Sequence, residues 1–181
     1  MTKRFEFDPA HTRFAFTAKH MMVSTIHGHF GQFGGHVELD GDQPTTARGE
    51  ATINVASVST NNDQRDGHLR SGDFFDVEQY PEMIFKTTGV KSVGKDKYQV
   101  VGDLTIKDIT KPLTLDVRLE GRFNDPWGND RVGITAQGTI DRRDWGLTWN
   151  QVMEAGRIMV SDKIQLEIEA ELTAAAEAKV A

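Results

Sequence analysis

The chain is 181 residues long, the size of one compact domain. Its 27 acidic and 21 basic residues leave a net charge of −6, which argues against a phosphate-tracking face and so against a nucleic-acid partner. With no cysteine, disulfides, thiolate–zinc sites, iron–sulfur clusters and thiol catalysis are excluded.

The first nine residues are basic but have no apolar run behind them, so they do not read as a signal peptide. No stretch approaches the ~18 apolar residues of a membrane-spanning helix. The expected location is the cytoplasm as the sequence stands, or the periplasm or exterior if a leader has been removed.

Period-two alternation then dominates. It is weak over residues 14–18, 33–39 and 48–58. Residues 60–71 break it, with no β-branched side chain between Asn61 and Arg70. A short helix is expected near residues 61–70, capped by Thr60 or Asn61, with Leu69, Phe74 and Phe75 as apolar anchors. Alternation resumes at 83–90 and strengthens in 98–106 (Tyr98, Val100, Gly102, Leu104, Ile106). In 113–123 the odd positions Leu113, Leu115, Val117, Leu119, Gly121 and Phe123 oppose Thr114, Asp116, Arg118, Glu120 and Arg122. Residues 132–140 and 164–172 repeat the pattern. Turn-forming stretches at 94–96 and 124–129 separate the runs.

Eight half-wet strands predict antiparallel pairing. Their length suits a closed up-and-down, lipocalin-like barrel with a short capping helix; a β-sandwich is the alternative. One domain over 1–173 and a flexible tail over 174–181 complete the expected organisation.

Particular residues carry a family resemblance. Phe7-Asp8-Pro9-Ala10-His11-Thr12 precedes Phe14-Ala15-Phe16, and Gly28-His29-Phe30 follows. Arg65-Asp66-Gly67-His68-Leu69-Arg70-Ser71-Gly72-Asp73-Phe74-Phe75-Asp76 leads into Tyr80-Pro81. Gly102-Asp103-Leu104-Thr105-Ile106-Lys107, Thr110-Lys111-Pro112-Leu113 and Asp141-Arg142-Arg143-Asp144-Trp145-Gly146-Leu147 come later. This string resembles the YceI family of polyisoprenoid-binding, lipocalin-like proteins over roughly residues 5–172. The resemblance implies an eight-stranded barrel whose apolar tunnel takes a prenyl chain, without a demonstrated enzymatic role.

The residues alone support a hollow barrel in part. Small inward positions at Ala18, Gly102, Gly121, Ala136 and Gly138 leave room, although a strand glycine also marks bends. The expected lipid-lining set is Phe14, Phe16, His20, Phe30, Phe33, Leu69, Phe74, Phe75, Phe85, Leu104, Ile106, Leu115, Val117, Ile134, Ala136, Ile164 and Leu166. His20 is placed at a tunnel end, able to bond a head group.

The expected ligand is an isoprenoid lipid, a polyprenyl diphosphate or an isoprenoid quinone, with no other cofactor and no metal; a homodimer is admitted. Two alternatives stay open. His20, His27, His29 and His36 could ligate a metal and make an enzyme. A barrel packed solid would be a structural or stress protein. The Arg65, Asp66, His68, Arg70, Asp73 and Asp76 cluster reads as a solvated ion-pair face rather than acid–base machinery. Arg142, Asp144 and Trp145 read as a turn anchored by an ion pair and an indole. No nucleophile elbow or phosphate loop is present.

Overall fold

The structure is a computed structural model that describes residues 1–175. In chain order the elements are β1 (Thr2–Phe7), β2 (Arg13–His20), β3 (Ser24–Phe30), β4 (Phe33–Asp40), β5 (Arg48–Asn54), β6 (Val58–Ser59), α1 (Asp63–Arg70), β7 (Glu82–Gly94), β8 (Lys97–Ile106), β9 (Ile109–Asn124), β10 (Asp130–Asp141) and β11 (Lys163–Ala174). All strand pairings are antiparallel.

Three pairs of short strands are halves of longer ones. β1 and β2 are separated by a tight turn at Pro9–His11, and β11 pairs with both, as Phe7↔Leu172 and Arg13↔Glu169. β3 and β4 flank Gly31-Gln32 and pair with β2 and β1 in turn. β5 and β6 flank a turn at Val55–Ser57. Counted this way, each strand pairs with its neighbour in sequence, and the β1–β11 pairing closes the ring. The expected closed eight-stranded antiparallel barrel with one short helix is what the chain forms.

Sequence alternation omitted the two halves β1 and β3. β1 is a short amphipathic run, Lys3, Phe5 and Phe7 against Arg4 and Glu6. β3 carries Gly28 where an inward side chain would stand, because the Phe16 ring of the paired strand fills that space. The helix also starts later than expected. Asn62 caps it by accepting from the Arg65 N–H at 2.9 Å, while Thr60 engages Asp66 instead.

The expected inward parity of 113–123 fails at its far end. A β-bulge pairs Gly133 with Gly121 but Ile134 with Leu119, leaving Glu120 extra. Beyond it Phe123 turns outward, 50% exposed, and Arg122 turns inward. Two other inward glycines serve the wall rather than a ligand. At Gly102 a Cβ would overlap the Phe85 ring and lie 2.6 Å from the Lys86 carbonyl oxygen; at Gly138 it would lie 2.8 Å from Leu115. Large neighbours therefore cover both positions.

The two ends of the barrel differ. The turns after β4, β7 and β9 lie at what we call the hairpin end. The opposite, helix end is covered by α1 and by residues 142–161. There Trp145 donates its indole N–H to the Leu104 carbonyl at 2.9 Å. Arg142, almost fully buried, donates to the carbonyls of Ser161 (3.0 Å), Leu147 (2.6 Å), Trp149 (2.8 Å) and Val160 (3.4 Å). Its nearest carboxylate is Asp162 at 3.5 Å, not Asp144, so the expected ion-pair anchor is mainly a carbonyl clasp. β11 continues through Ala174, and the Ala175 N–H donates to the Arg4 carbonyl at 2.8 Å. The rest of the expected 174–181 tail lies outside the described residues.

Two outcomes follow for stability. Gly102→Val should destabilise the protein by about 1–3 kcal/mol, as overpacking does, measured by urea unfolding. Arg142→Ala should cost about 3 kcal/mol or more, since several buried carbonyls lose their donor together. Arg142→Lys should restore only part of that, because three ammonium donors on a point charge do not reproduce the planar fork.

Candidate functional site

The alternation of the strands places one apolar face around the barrel axis, and that face does not fill the interior. A cavity of about 400 Å³ remains, within the range of ligand sites. Its wall is almost wholly carbon, and every buried side-chain nitrogen and oxygen among the described residues has a hydrogen-bond partner. At the helix end the wall includes Leu69, Phe74, Phe75 and Leu147.

On β8 and β9 burial falls along the cavity, while Phe5 and Leu172 on the opposite wall stay buried near the hairpin end. Leu104, Ile106, Leu113 and Leu115 are buried, whereas Tyr98, Val100, Val117 and Leu119, on the same faces of β8 and β9, are half-buried. The cavity therefore opens at the hairpin end. The turn after β4 contributes Asp42, Pro44 and Ala47 to that rim, and Arg122 stands opposite on β9.

Of the residues expected from sequence to line a tunnel, all but His20 and Phe33 border the cavity. Phe33 meets Phe14 edge-on at 4.8 Å and sits one layer back. His20 pairs through its backbone with Val160 at the helix end and does not border the space. Phe5, Met83, Ile53 and Leu147, whose runs are short or interrupted, also line the cavity without being expected from sequence, as does Arg122, whose inward turn depends on the bulge. Of the small positions, Ala18 and Ala136 border the cavity; Gly102, Gly121 and Gly138 do not.

The four histidines proposed as metal ligands are not brought together. His27 and His29 face outward on β3, opposite Thr17 and Ala15. His36 lies on β4 between Glu6 and Glu50, and His20 is at the helix end. Among the described residues, the group that does converge within metal-ligand distance is Asp8, His11 and Glu171. A guanidinium already sits among them. Arg131 donates to Asp8 at 2.7 Å, to Asp125 at 2.8 Å and to Glu171 at 3.2 Å. The cluster is an ion-pair staple joining the β1–β2 turn to β10 and β11.

The residues around α1 are also structural, but their partners differ from those expected. Asp66 is buried and accepts from the Thr60 N–H at 2.8 Å and from its hydroxyl. Arg65 donates to the Thr60 carbonyl at 2.8 Å. Arg70 donates to the Ala56 and Val58 carbonyls at 2.8 and 2.9 Å. Backbone, not alternating charge, fixes the helix over the barrel. His68 bonds Asp73 at 2.8 Å and packs edge-on against Trp149 at 4.5 Å.

Comparison with known proteins agrees with this geometry. The YceI-like domain matches residues 5–172. A UPF0312 protein of Staphylococcus aureus (strain bovine RF122 / ET3-1) is 42% identical over 170 residues, 93% of this chain and 96% of the relative. The crystal structure of a Campylobacter jejuni YCEI protein is similar with a TM-score of 0.77 at 30% identity, covering 87% of this chain and 90% of that one. A polyisoprenoid binding domain from Saccharophagus degradans, implicated in plant cell wall breakdown, shares the fold with a TM-score of 0.67 at 16% identity, covering 94% of this chain and 98% of that one.

The staple makes acid stability testable. The Arg131 guanidinium, and then the His11 ring, hold the Asp8 carboxyl below its ordinary 3.8, at about 2. A carboxylate whose pKa is depressed by folding stabilises the fold above its unfolded value and loses that contribution as pH falls through the folded one. Stability should therefore decline between pH 4 and pH 2, and Asp8→Asn should flatten that part of the profile in pH-dependent melting. An equally steep decline in the variant would assign it to other groups.

Proposed function

The chain belongs to the YceI-like domain family, and from that footing we propose that it binds an elongated isoprenoid lipid in its barrel, for storage, sequestration or transport, without covalent chemistry. The carrying observation is the open, carbon-walled cavity that runs from the helix-end cap to a mouth at the hairpin end. The polyisoprenoid binding domain among its structural neighbours supports the choice of ligand class.

The physical fit is direct. A prenyl tail makes no hydrogen bonds, and the wall asks for none. At ~0.8 kcal/mol per buried carbon, each five-carbon unit gains roughly 4 kcal/mol gross. Three units, roughly 12 kcal/mol, exceed most of the ~4–15 kcal/mol range of association costs, and four units, roughly 16 kcal/mol, exceed all of it. Phenylalanines such as Phe14, Phe16, Phe30 and Phe85 supply broad apolar surface without a polar atom to satisfy. The solid-core alternative is disfavoured by the open space itself, and the metal-enzyme alternative by the dispersal of His20, His27, His29 and His36.

Native mass spectrometry of the purified protein should show a retained lipid of isoprenoid mass, or uptake of an added polyprenyl quinone. Ala136, buried and facing the cavity midway along β10, offers a matched control. Ala136→Phe should occupy the space, reduce uptake at least tenfold and leave the circular dichroism spectrum unchanged. Absence of both retained lipid and uptake, in repeated preparations of folded protein, would overturn the reading.

A further inference from the structure

Arg122 is a charged side chain in a mostly apolar wall, where His36, Asp42 and Glu50 also border the cavity, and its surroundings are asymmetric. Its guanidinium carbon stands 5.6 Å from the centroid of the Phe5 ring, itself a buried wall residue. Asp130 engages Nε and Nη2 with both carboxylate oxygens; the side chains of Arg122 and Asp130 are 29% and 23% exposed. Asp42 engages Nη1 alone, from a side chain that is 77% exposed. Guanidinium carries five N–H donors, so two are unclaimed by acceptors among the described residues.

The two carboxylates are not equivalent. A bidentate, partly buried pair is geometrically fixed and strong. A single contact to a solvated carboxylate is screened and contributes little. Asp42 also follows Gly41, whose backbone is left-handed at φ +61° with open space around it. Asp130 therefore holds the guanidinium in place at the mouth, and Asp42 is the partner that another oxygen can replace.

We propose that Arg122 recognises the polar head of the bound lipid, and that Asp42 occupies the same donor group until a head group displaces it. This rests on the lipid-binding reading above and adds the residue that selects the head. The chemistry recognised is an acceptor oxygen, from a quinone carbonyl or a phosphate. Once Asp42 is displaced, Arg122, Lys3 and Lys86 remain against Asp130 and Glu50, three cations against two anions, since the Lys3 ammonium lies 3.7 Å from Asp130 and the Lys86 ammonium 3.4 Å from Glu50. The tail lies along the carbon wall behind them, and no bond is made or broken.

The test compares three ligands with the same prenyl tail: a prenyl diphosphate, a prenyl quinone and the head-free hydrocarbon. The wild-type protein should bind at least one headed lipid more tightly than the hydrocarbon. Arg122→Met should lower the preference for the headed lipid over the hydrocarbon about tenfold, the scale of a lost charged hydrogen bond. Asp42→Ala, which removes an exposed side chain and stays informative should Arg122→Met fold poorly, should tighten headed binding about threefold and leave the hydrocarbon unchanged. A response limited to the diphosphate identifies phosphate as the recognised oxygen; a response by both identifies any acceptor, and either supports the proposal. An unaltered head preference in both variants would overturn the role of Arg122 and leave the cavity reading standing. Failure of the wild-type protein to take up any of the three would overturn both.

Discussion

A barrel left open along its axis cannot hold its strands by filling itself, because atoms facing a void lack dispersion partners on that side. Its shape depends on a closed hydrogen-bonded wall and on what ties the rims. β11 provides the closure by pairing with both halves of the first long strand, so the main sheet has no long free edge. Guanidinium groups provide the ties. Arg142 joins residues 147–149 to 160–161 at the helix end and lies over the Phe74 ring at 5.9 Å. Arg131 joins the β1–β2 turn to the β9–β10 turn, and Arg65 and Arg70 fasten the helix to the chain before it. Planar, multiply donating groups suit this task, since each can satisfy carbonyls or carboxylates from separate segments at once.

The alternation of apolar and polar side chains made the barrel legible because it repeats over long strands with one wet face. What it concealed was local and geometric. β3 gave little signal because Gly28 yields its inward space to Phe16, so the side chain that marks the face belongs to the neighbouring strand. The bulge at Glu120 exchanged Arg122 for Phe123 on the inner face, and nothing in the single-strand pattern encodes that extra residue. Gly102 and Gly138 looked like vacancies and proved to be seats for Phe85 and Leu115. His20 follows the parity of its strand and still misses the cavity, whose lining at that end includes Val160, its bridge partner from far along the chain.

The arrangement of polar groups bears on what the interior can do. Asp66, the buried carboxylate of the helix, is committed to Thr60, and Arg142 to backbone carbonyls. The histidines lie on different faces and ends. Asp66 is thus spent on holding the frame, while His36, Asp42 and Glu50 border the cavity. Partition of a hydrocarbon into the space needs none of them, only area removed from water.

Loop chemistry explains why the two ends differ. At the helix end two connections are long, from β6 to β7 and from β10 to β11, and they carry Leu69, Phe74, Phe75, Trp145, Leu147 and Trp149, which fold across the barrel and cap it. At the hairpin end the turns after β7 and β9 are short, and among the described residues the segment after β4 is the connection that borders the mouth. A dry, capped end and an open end bordered by Arg122, Asp42 and Glu50 impose a direction on any amphiphile that enters. Its hydrocarbon end gains most by going deepest, where the wall is most buried. Its polar end loses least by stopping where water and charged side chains already meet.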